Sequence, residues 1–249
     1  MPGPRRLYAG SMPMPTGHIA SLQRWPVKSM AGERLDALSL DRWGVTGDRT
    51  HAVFDVFKGA TRRVNAEVLP RLLAWAAAYP SATVGREEPP QAVVTAPDGT
   101  ARTWDDPELP AALAADLGRP LTLAREPRGQ QDRPGTVHIT VEASLRALGE
   151  ALGAPIDVAR FRPNIHVDFD AEPYAEERWL GRCLRIGDAE FEIVEGCERC
   201  SIPTRDPRTQ EKWPQLLRLL AAERAQTFGL IARPLAPAVV RCGDATELL

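Results

Sequence analysis

Lysine is nearly absent: of 31 basic residues only Lys28, Lys58 and Lys212 are lysines, and the rest are arginines. Together with abundant alanine and proline this reflects a GC-rich genome, so the arginine count is not in itself evidence for phosphate binding. An excess of one charge sign is also lacking. The net charge of −2 argues against a nucleic-acid partner. No run approaches the roughly 18 apolar residues of a membrane span, and the opening MPGPRRLYAGSMPMPTG has no apolar signal-peptide core. A cytoplasmic protein with no membrane partner is expected. Cysteine is scarce too: Cys183, Cys197, Cys200 and Cys242 in 249 residues do not form a secreted disulfide framework, and reduced thiols are expected.

The chain has 43% hydrophobic and 26% charged residues, enough for a real core. Residues 1–17, rich in Pro, Gly and Met, read as a flexible tail. His18–Trp25 then reads as a strand ended by Pro26. Leu35–Leu40 and Thr50–Phe57 are further strands around the glycine-containing WGVTGDR, and Pro97-Asp98-Gly99 turns a hairpin between Gln91–Ala96 and Thr100–Trp104. Arg71–Tyr79 is open between helix and strand. Helices are expected at Glu108–Leu117, at Glu142–Leu152 with Thr140 as N-cap, and at Trp213–Glu223. Ile165–Phe169, Cys183–Ile186, Phe191–Val194 and Val239–Arg241 are strand-like, with Gly187-Asp188 turning between the middle two. Neither internal repeats nor βαβ alternation is visible. The expectation is a mainly β (α+β) protein of two barrel-like units with a few short helices, divided at the Pro/Arg/Gln-rich run Arg125–Gly135.

Chemistry concentrates at Cys197-Glu198-Arg199-Cys200. A C-x-x-C serves a thioredoxin-like redox pair, half a zinc site, a single reactive thiolate, or two small buried hydrophobes. The first wants a helix straight after the pair, which Ser201-Ile202-Pro203-Thr204 does not start. The second needs two more soft ligands, and Cys183, Cys242 and His166 stand apart. Arg199 beside Cys200, with Arg160, Arg162 and Arg205 nearby in sequence, favours a thiolate and could also bind an anion.

Larger patterns then emerge. Trp25-Pro26-Val27-Lys28-Ser29, followed by Trp43-Gly44-Val45 and Asp48-Arg49, resembles the N-terminal β-barrel region of the MOSC family, named for the molybdenum cofactor sulfurase C-terminal domain. Arg160-Phe161-Arg162-Pro163-Asn164-Ile165, Tyr174-Ala175-Glu176 with Trp179, Ile186-Gly187 and Arg199-Cys200 resemble the MOSC domain itself. The resemblance runs from about His18 to Gly243-Asp244. It implies an N-terminal β-barrel domain over residues 18–125 packed on a MOSC β-barrel over 126–249. One departure stands out: after Asp206-Pro207 and Thr209, Gln210 occupies a position where the family usually has glycine.

What the resemblance implies is a molybdenum-molybdopterin cofactor with Cys200 as metal ligand and catalytic residue. Lys28, Ser29, Arg49 and Arg162 would contact the pterin or its phosphate, and Arg160, Arg199 and Ser201 would join them. Thr140 and Ser144, at the start of the Glu142 helix, match further cofactor-contacting polar positions, and a helix N-terminus suits an anion. Lysine and forked arginines from separate loops are the side chains that grip a doubly charged phosphate. Stand-alone relatives reduce N-hydroxylated small molecules by oxygen-atom removal. Four scattered cysteines build no iron-sulfur cluster, so electrons would come from a separate redox protein. The competing readings are a sulfur carrier or carbon-sulfur protein with a Cys200 persulfide, and a cofactor carrier without turnover.

Overall fold

All five residues of Val137–Val141 are buried, as a strand covered on both faces requires. Around it the computed structural model, which describes residues 15–80, 88–126 and 132–249, closes a barrel of seven strands. From Ile165–Phe169 the ring passes to Val137–Val141, Thr227–Pro234, Ala189–Glu198, Cys183–Ile186, Ala245–Leu248 and Thr16–Arg24. Thr16–Arg24 then pairs back on Ile165–Phe169, from Gly17 opposite Phe169 to Leu22 opposite Ile165. Closure satisfies the edges that an open sheet would expose. Ile19, Leu22, Ile139, Val167, Phe191 and Leu230 fill the interior.

A second body, with a separate core of Val27, Met30, Val53, Leu72, Trp75 and Leu113, is made of two short three-stranded sheets and the helix α1 (Leu109–Leu117). The third three-stranded sheet packs on the barrel core through Leu38, Leu40, Val45 and Val240, and the barrel side draws strands from both halves of the chain. Thr16–Arg24 completes the barrel of the later half, while Ala238–Arg241 pairs with Ala37–Asp41 of the earlier half.

The mainly β fold with three short helices among the described residues, α1, α2 (Glu142–Leu152) and α3 (Pro214–Glu223), agrees with the sequence reading. Several details differ. The first strand starts at Thr16, while residues 1–14, and 127–131 of the expected seam, lie outside the described residues. Leu35–Leu40 splits at Asp36 because Glu33–Leu35 pairs with the barrel and Ala37–Asp41 with Ala238–Arg241. Arg71–Tyr79 is both things in turn, a 3-10 turn at Pro70–Ala74 and a strand at Ala76–Ala78. Phe191–Val194 lies within a longer strand, Ala189–Glu198, and Ala245–Leu248 follows the strand expected to close the chain. A βαβ unit is present after all: Val137–Val141 and Ile165–Phe169 run parallel with α2 between them. Finally, Thr140 is not the N-cap. Val141 occupies that position without a side-chain cap, and Thr140 is buried in the barrel wall with its Oγ1 2.8 Å from His166 Nδ1.

Barrel closure leaves no room for a side chain at Gly17, where a Cβ would lie 2.0 Å from the Asp168 carbonyl oxygen. Gly17→Ala must therefore spread the closing pair of strands. Overpacking of this kind costs about 1–3 kcal/mol, which for a chain of this size lowers the melting temperature by on the order of 5 °C. Thermal unfolding followed by circular dichroism checks it, and an unchanged midpoint would contradict the closure described.

Candidate functional site

Where the barrel end meets the second body, loops from distant parts of the chain line a cavity of about 270 Å³. Lys28 and Ser29 come from the turn after Trp25-Pro26, and Arg49 from the turn after the short strand Gly44–Val45. Arg162 follows the 3-10 turn Val158–Arg160. Cys197, Arg199 and Cys200 come from the end of Ala189–Glu198. Trp25 ties these loops together. Its amide donates to Asp48 Oδ1 (2.8 Å), its indole Nε1 donates to the Pro163 carbonyl (2.9 Å), and its carbonyl accepts from the Arg49 amide (2.8 Å). Arg49 Nη2 donates in turn to the Arg162 carbonyl at 3.0 Å.

The turns are tight enough that Ser29, Arg49 and Arg162 all take the left-handed conformation, with φ of 73°, 47° and 56°. Non-glycine residues reach that region at a cost of roughly 1–2 kcal/mol, and such strain clusters at functional sites.

Positive charge is crowded here and poorly compensated. Lys28 Nζ lies 2.6 Å from Asp132 Oδ1, yet burial, helped by Arg49 and Arg63, holds its pKa below the ordinary lysine value. Burial, followed by the neighbouring Arg49, brings Arg162 down to about 9. The Arg162 guanidinium sits over the Trp25 ring at 4.1 Å, and its buried Nη2 has no hydrogen-bond partner among the described residues. His138 is held well below its usual pKa by burial and then by Arg199 and Arg49, which keeps the imidazole neutral. Its Nε2 faces Arg199 Nη1 at 3.4 Å, so the unprotonated nitrogen points toward the arginine. Gly229 permits this packing, since a Cβ there would stand 2.7 Å from His138 Nε2 and 2.6 Å from the Ile139 carbonyl oxygen.

The two cysteines differ, in the opposite sense from the sequence expectation. Arg199 Nη1 donates to Cys197 Sγ at 2.8 Å and Nη2 to the Phe161 carbonyl at 2.9 Å. Cys200 is instead pushed above the ordinary thiol pKa, by burial first and by the Glu67 carboxylate, against a weaker pull from Arg199. Along an extended chain residues two apart share a side while neighbours alternate. Arg199 therefore serves Cys197, not the residue next to it.

The chain matches the MOSC N-terminal beta barrel domain over residues 16–106 and the MOSC domain over residues 127–247. It belongs to the MOSC family. A Danio rerio protein named mitochondrial amidoxime-reducing component 1 is 40% identical, the alignment covering 29% of this chain and 22% of that protein. An Oryza sativa subsp. japonica molybdenum cofactor sulfurase is 31% identical over 34% of this chain and 14% of its own length. The chain thus spans under a quarter of these relatives. Among solved structures, the YUAD protein of Bacillus subtilis aligns with a TM-score of 0.46 and 14% identity, covering 95% of this chain and 98% of that one.

Of the residues the MOSC resemblance singled out, Lys28, Ser29, Arg49, Arg162, Arg199 and Cys200 line the one cavity. Four do not. Thr140 is held by His166, and Ser144 donates to Glu176 Oε2 at 2.8 Å while accepting from the Tyr174 amide. Arg160 is paired with Asp206 at 2.9 Å, and Ser201 stands outside with its hydroxyl 3.4 Å from Glu67 Oε1. The cavity adds residues not singled out, notably Asn65, Glu67, Asp132 and His138. A histidine inside the apolar strand Val137–Val141 is the one readable signal among them. Gln210, at the position where the MOSC resemblance led to the expectation of glycine, adopts φ 65°, a conformation that glycine takes freely. Among the described residues no group of three or more His, Cys, Asp or Glu could hold a metal ion. No described helix is long and apolar enough to cross a membrane.

After burial, the Glu67 carboxylate is the charge that raises the Cys200 thiol. In peptide-resolved iodoacetamide labelling, Cys200 should react only at a pH above the ordinary thiol range of about 8.5. Glu67→Gln removes the opposing charge, so its labelling curve should move to lower pH and its rate near neutral pH rise several-fold. Superimposable curves for the two proteins would show that Glu67 does not act on the thiol.

Proposed function

We propose that the cavity holds a molybdenum-pterin cofactor with Cys200 as the side-chain ligand to the metal, and that the chain reduces N-hydroxylated small molecules with electrons from a separate redox protein in the cytoplasm. The observation that carries this reading is the convergence of Lys28, Arg49 and Arg162 with Cys200 on one cavity. The residues fit the group. Arg162 offers a buried, unpartnered Nη2 to an anion, and the cationic side chains suit a phosphate. At about 270 Å³ the cavity is just under the roughly 300 Å³ where small-molecule sites begin, so part of the pterin would stay outside it.

In this reading residues 18–125 form the N-terminal barrel domain and 126–249 the MOSC domain, and the site lies where they meet. When bound, the cofactor supplies a molybdenum centre able to take an oxygen atom from a substrate. The chain's part is to bind and orient. Lys28, Arg49 and Arg162 neutralise the phosphate, Ser29 and Arg199 narrow the cavity, and Arg199 with His138 fixes the chain around Cys197. Cys200 would hold the metal as a thiolate, so its thiol proton would have to leave on binding. The names of the amidoxime-reducing and cofactor-sulfurase relatives support a role connected with this cofactor.

The test is expression in cells able to make the cofactor, then molybdenum and pterin analysis and an amidoxime reduction assay with an artificial electron donor. Cys200→Ser should lose turnover while keeping much of its pterin, and Cys197→Ser should retain most activity, because a serine oxygen still accepts from Arg199. Lys28→Met and Arg162→Met should each weaken pterin retention roughly tenfold or more, the worth of one charge-assisted hydrogen bond. Protein that carries persulfide sulfur on Cys200 and neither molybdenum nor pterin would replace this reading with sulfur handling. Cofactor bound without turnover would leave a carrier.

A further inference from the structure

A second cavity, of about 550 Å³, lies on the outer side of the barrel wall. It is separate from the Cys200 cavity, although Arg162 and Ile202 line both. Its floor is the pair of strands that closes the barrel. There Leu22 faces the core, while Ser21 and Gln23 face out, and Ser21 pairs with His166 on the neighbouring strand. Gln23 is only 7% exposed, and its Oε1 finds no donor among the described residues.

His166, also buried, bridges two groups: Thr140 Oγ1 lies 2.8 Å from its Nδ1 and Glu142 Oε2 lies 2.8 Å from its Nε2. This relay holds the Glu142 carboxylate at the cavity, and no lysine or arginine pairs with that carboxylate among the described residues. Among the other charged lining groups Glu33 is matched with Arg24, Asp157 with Arg208 and Arg160 with Asp206, while Arg162 is shared with the Cys200 cavity. Arg205 is not matched, since its Nη1 donates to the Gln210 carbonyl at 3.4 Å and no carboxylate pairs with it among the described residues. Arg34 also lines the cavity, and no carboxylate pairs with it among the described residues. Between these charges the walls are apolar, from Leu73, Leu145 and Val158.

A carboxylate met only by the His166 imidazole, arginines without a carboxylate partner among the described residues, a buried amide acceptor without a donor, and apolar walls in a volume well within the range of small-molecule sites define the ligand chemistry. We propose that this cavity binds a small zwitterion with an apolar side chain, a free amino acid. Its ammonium meets Glu142 and Gln23, and its carboxylate meets Arg205 and Arg34. Cys200 takes no part, so the site stands or falls independently of the cofactor reading.

Isothermal titration calorimetry on the full chain, with three probes of one size, tests it. L-phenylalanine carries both charges, 2-phenylethylamine lacks the carboxylate and 3-phenylpropionate lacks the ammonium. L-phenylalanine should bind, and to the wild type and Cys200→Ser alike. Each truncated probe should bind about tenfold or more weaker, since each loses a charge-assisted hydrogen bond. Glu142→Gln and Arg205→Met should each weaken phenylalanine about as much, with Arg34→Ala as the exposed substitute if Arg205→Met does not fold. Three probes that bind alike, no binding of any, or affinity unchanged in both Glu142→Gln and the arginine variant would overturn the assignment.

Discussion

One tryptophan holds the candidate site together. Trp25 ends the strand that closes the barrel, and its amide and carbonyl are bonded to Asp48 and Arg49 in one loop while its indole is bonded to Pro163 in another. Its ring face lies under the Arg162 guanidinium, a geometry worth about 2 kcal/mol when desolvated. The left-handed turns at Arg49 and Arg162 can persist because these bonds over-determine them. Trp25 thus converts the position of a barrel strand into the position of two arginines more than a hundred residues apart in sequence.

Bringing those arginines together has an electrostatic consequence. Burial first, and then Arg49, lowers the proton affinity of Lys28, His138 and Arg162, with Arg199 acting on the last two, and burial removes the water that would screen these charges. Asp48 and Asp132 offset only part of this. The arrangement is more stable with a multivalent anion among the cations than without one, which is the setting expected of an anion-binding cavity. His138 contributes by staying neutral. A protonated imidazole at that point would add a further positive charge to the cluster.

Strand alternation, turn chemistry and the short helices were legible because each rests on local rules. The hairpin at Pro97-Asp98-Gly99 forms as read, with Gly99 at φ 89° and its amide bonded to the Ala96 carbonyl. What local pattern could not show is long-range pairing. The division of Leu35–Leu40 depends on two partners far along the chain, and the parallel pair flanking α2 depends on barrel closure. The site was legible in the same proportion. Lys28, Arg49, Arg162 and Cys200 were readable as motif residues, whereas Asn65, Glu67 and Asp132 become part of the cavity only through folding. Thr140 and Ser144 carried the right chemistry but are engaged by His166 and Glu176.

Strand pairing along the chain decides how the site is held. Thr16–Arg24, from the start of the fold, completes the barrel and leads directly into Trp25, while Ala238–Arg241, from its end, pairs with Ala37–Asp41, whose Leu38 and Leu40 pack into the barrel core. Gly44–Val45, which leads into the Arg49 turn, is laddered to that sheet, and Ile165–Phe169, which follows Arg162, lies in the barrel wall. Moving either loop would therefore break backbone ladders, not only side-chain contacts. Their ladder hydrogen bonds are individually modest, but they are lost together. The loops carrying Arg49 and Arg162 are thus fixed to the barrel frame, and a ligand that fits the cavity meets charges already in place. That pre-organisation reduces the ordering cost of binding, and it follows from barrel closure by the first strand of the fold.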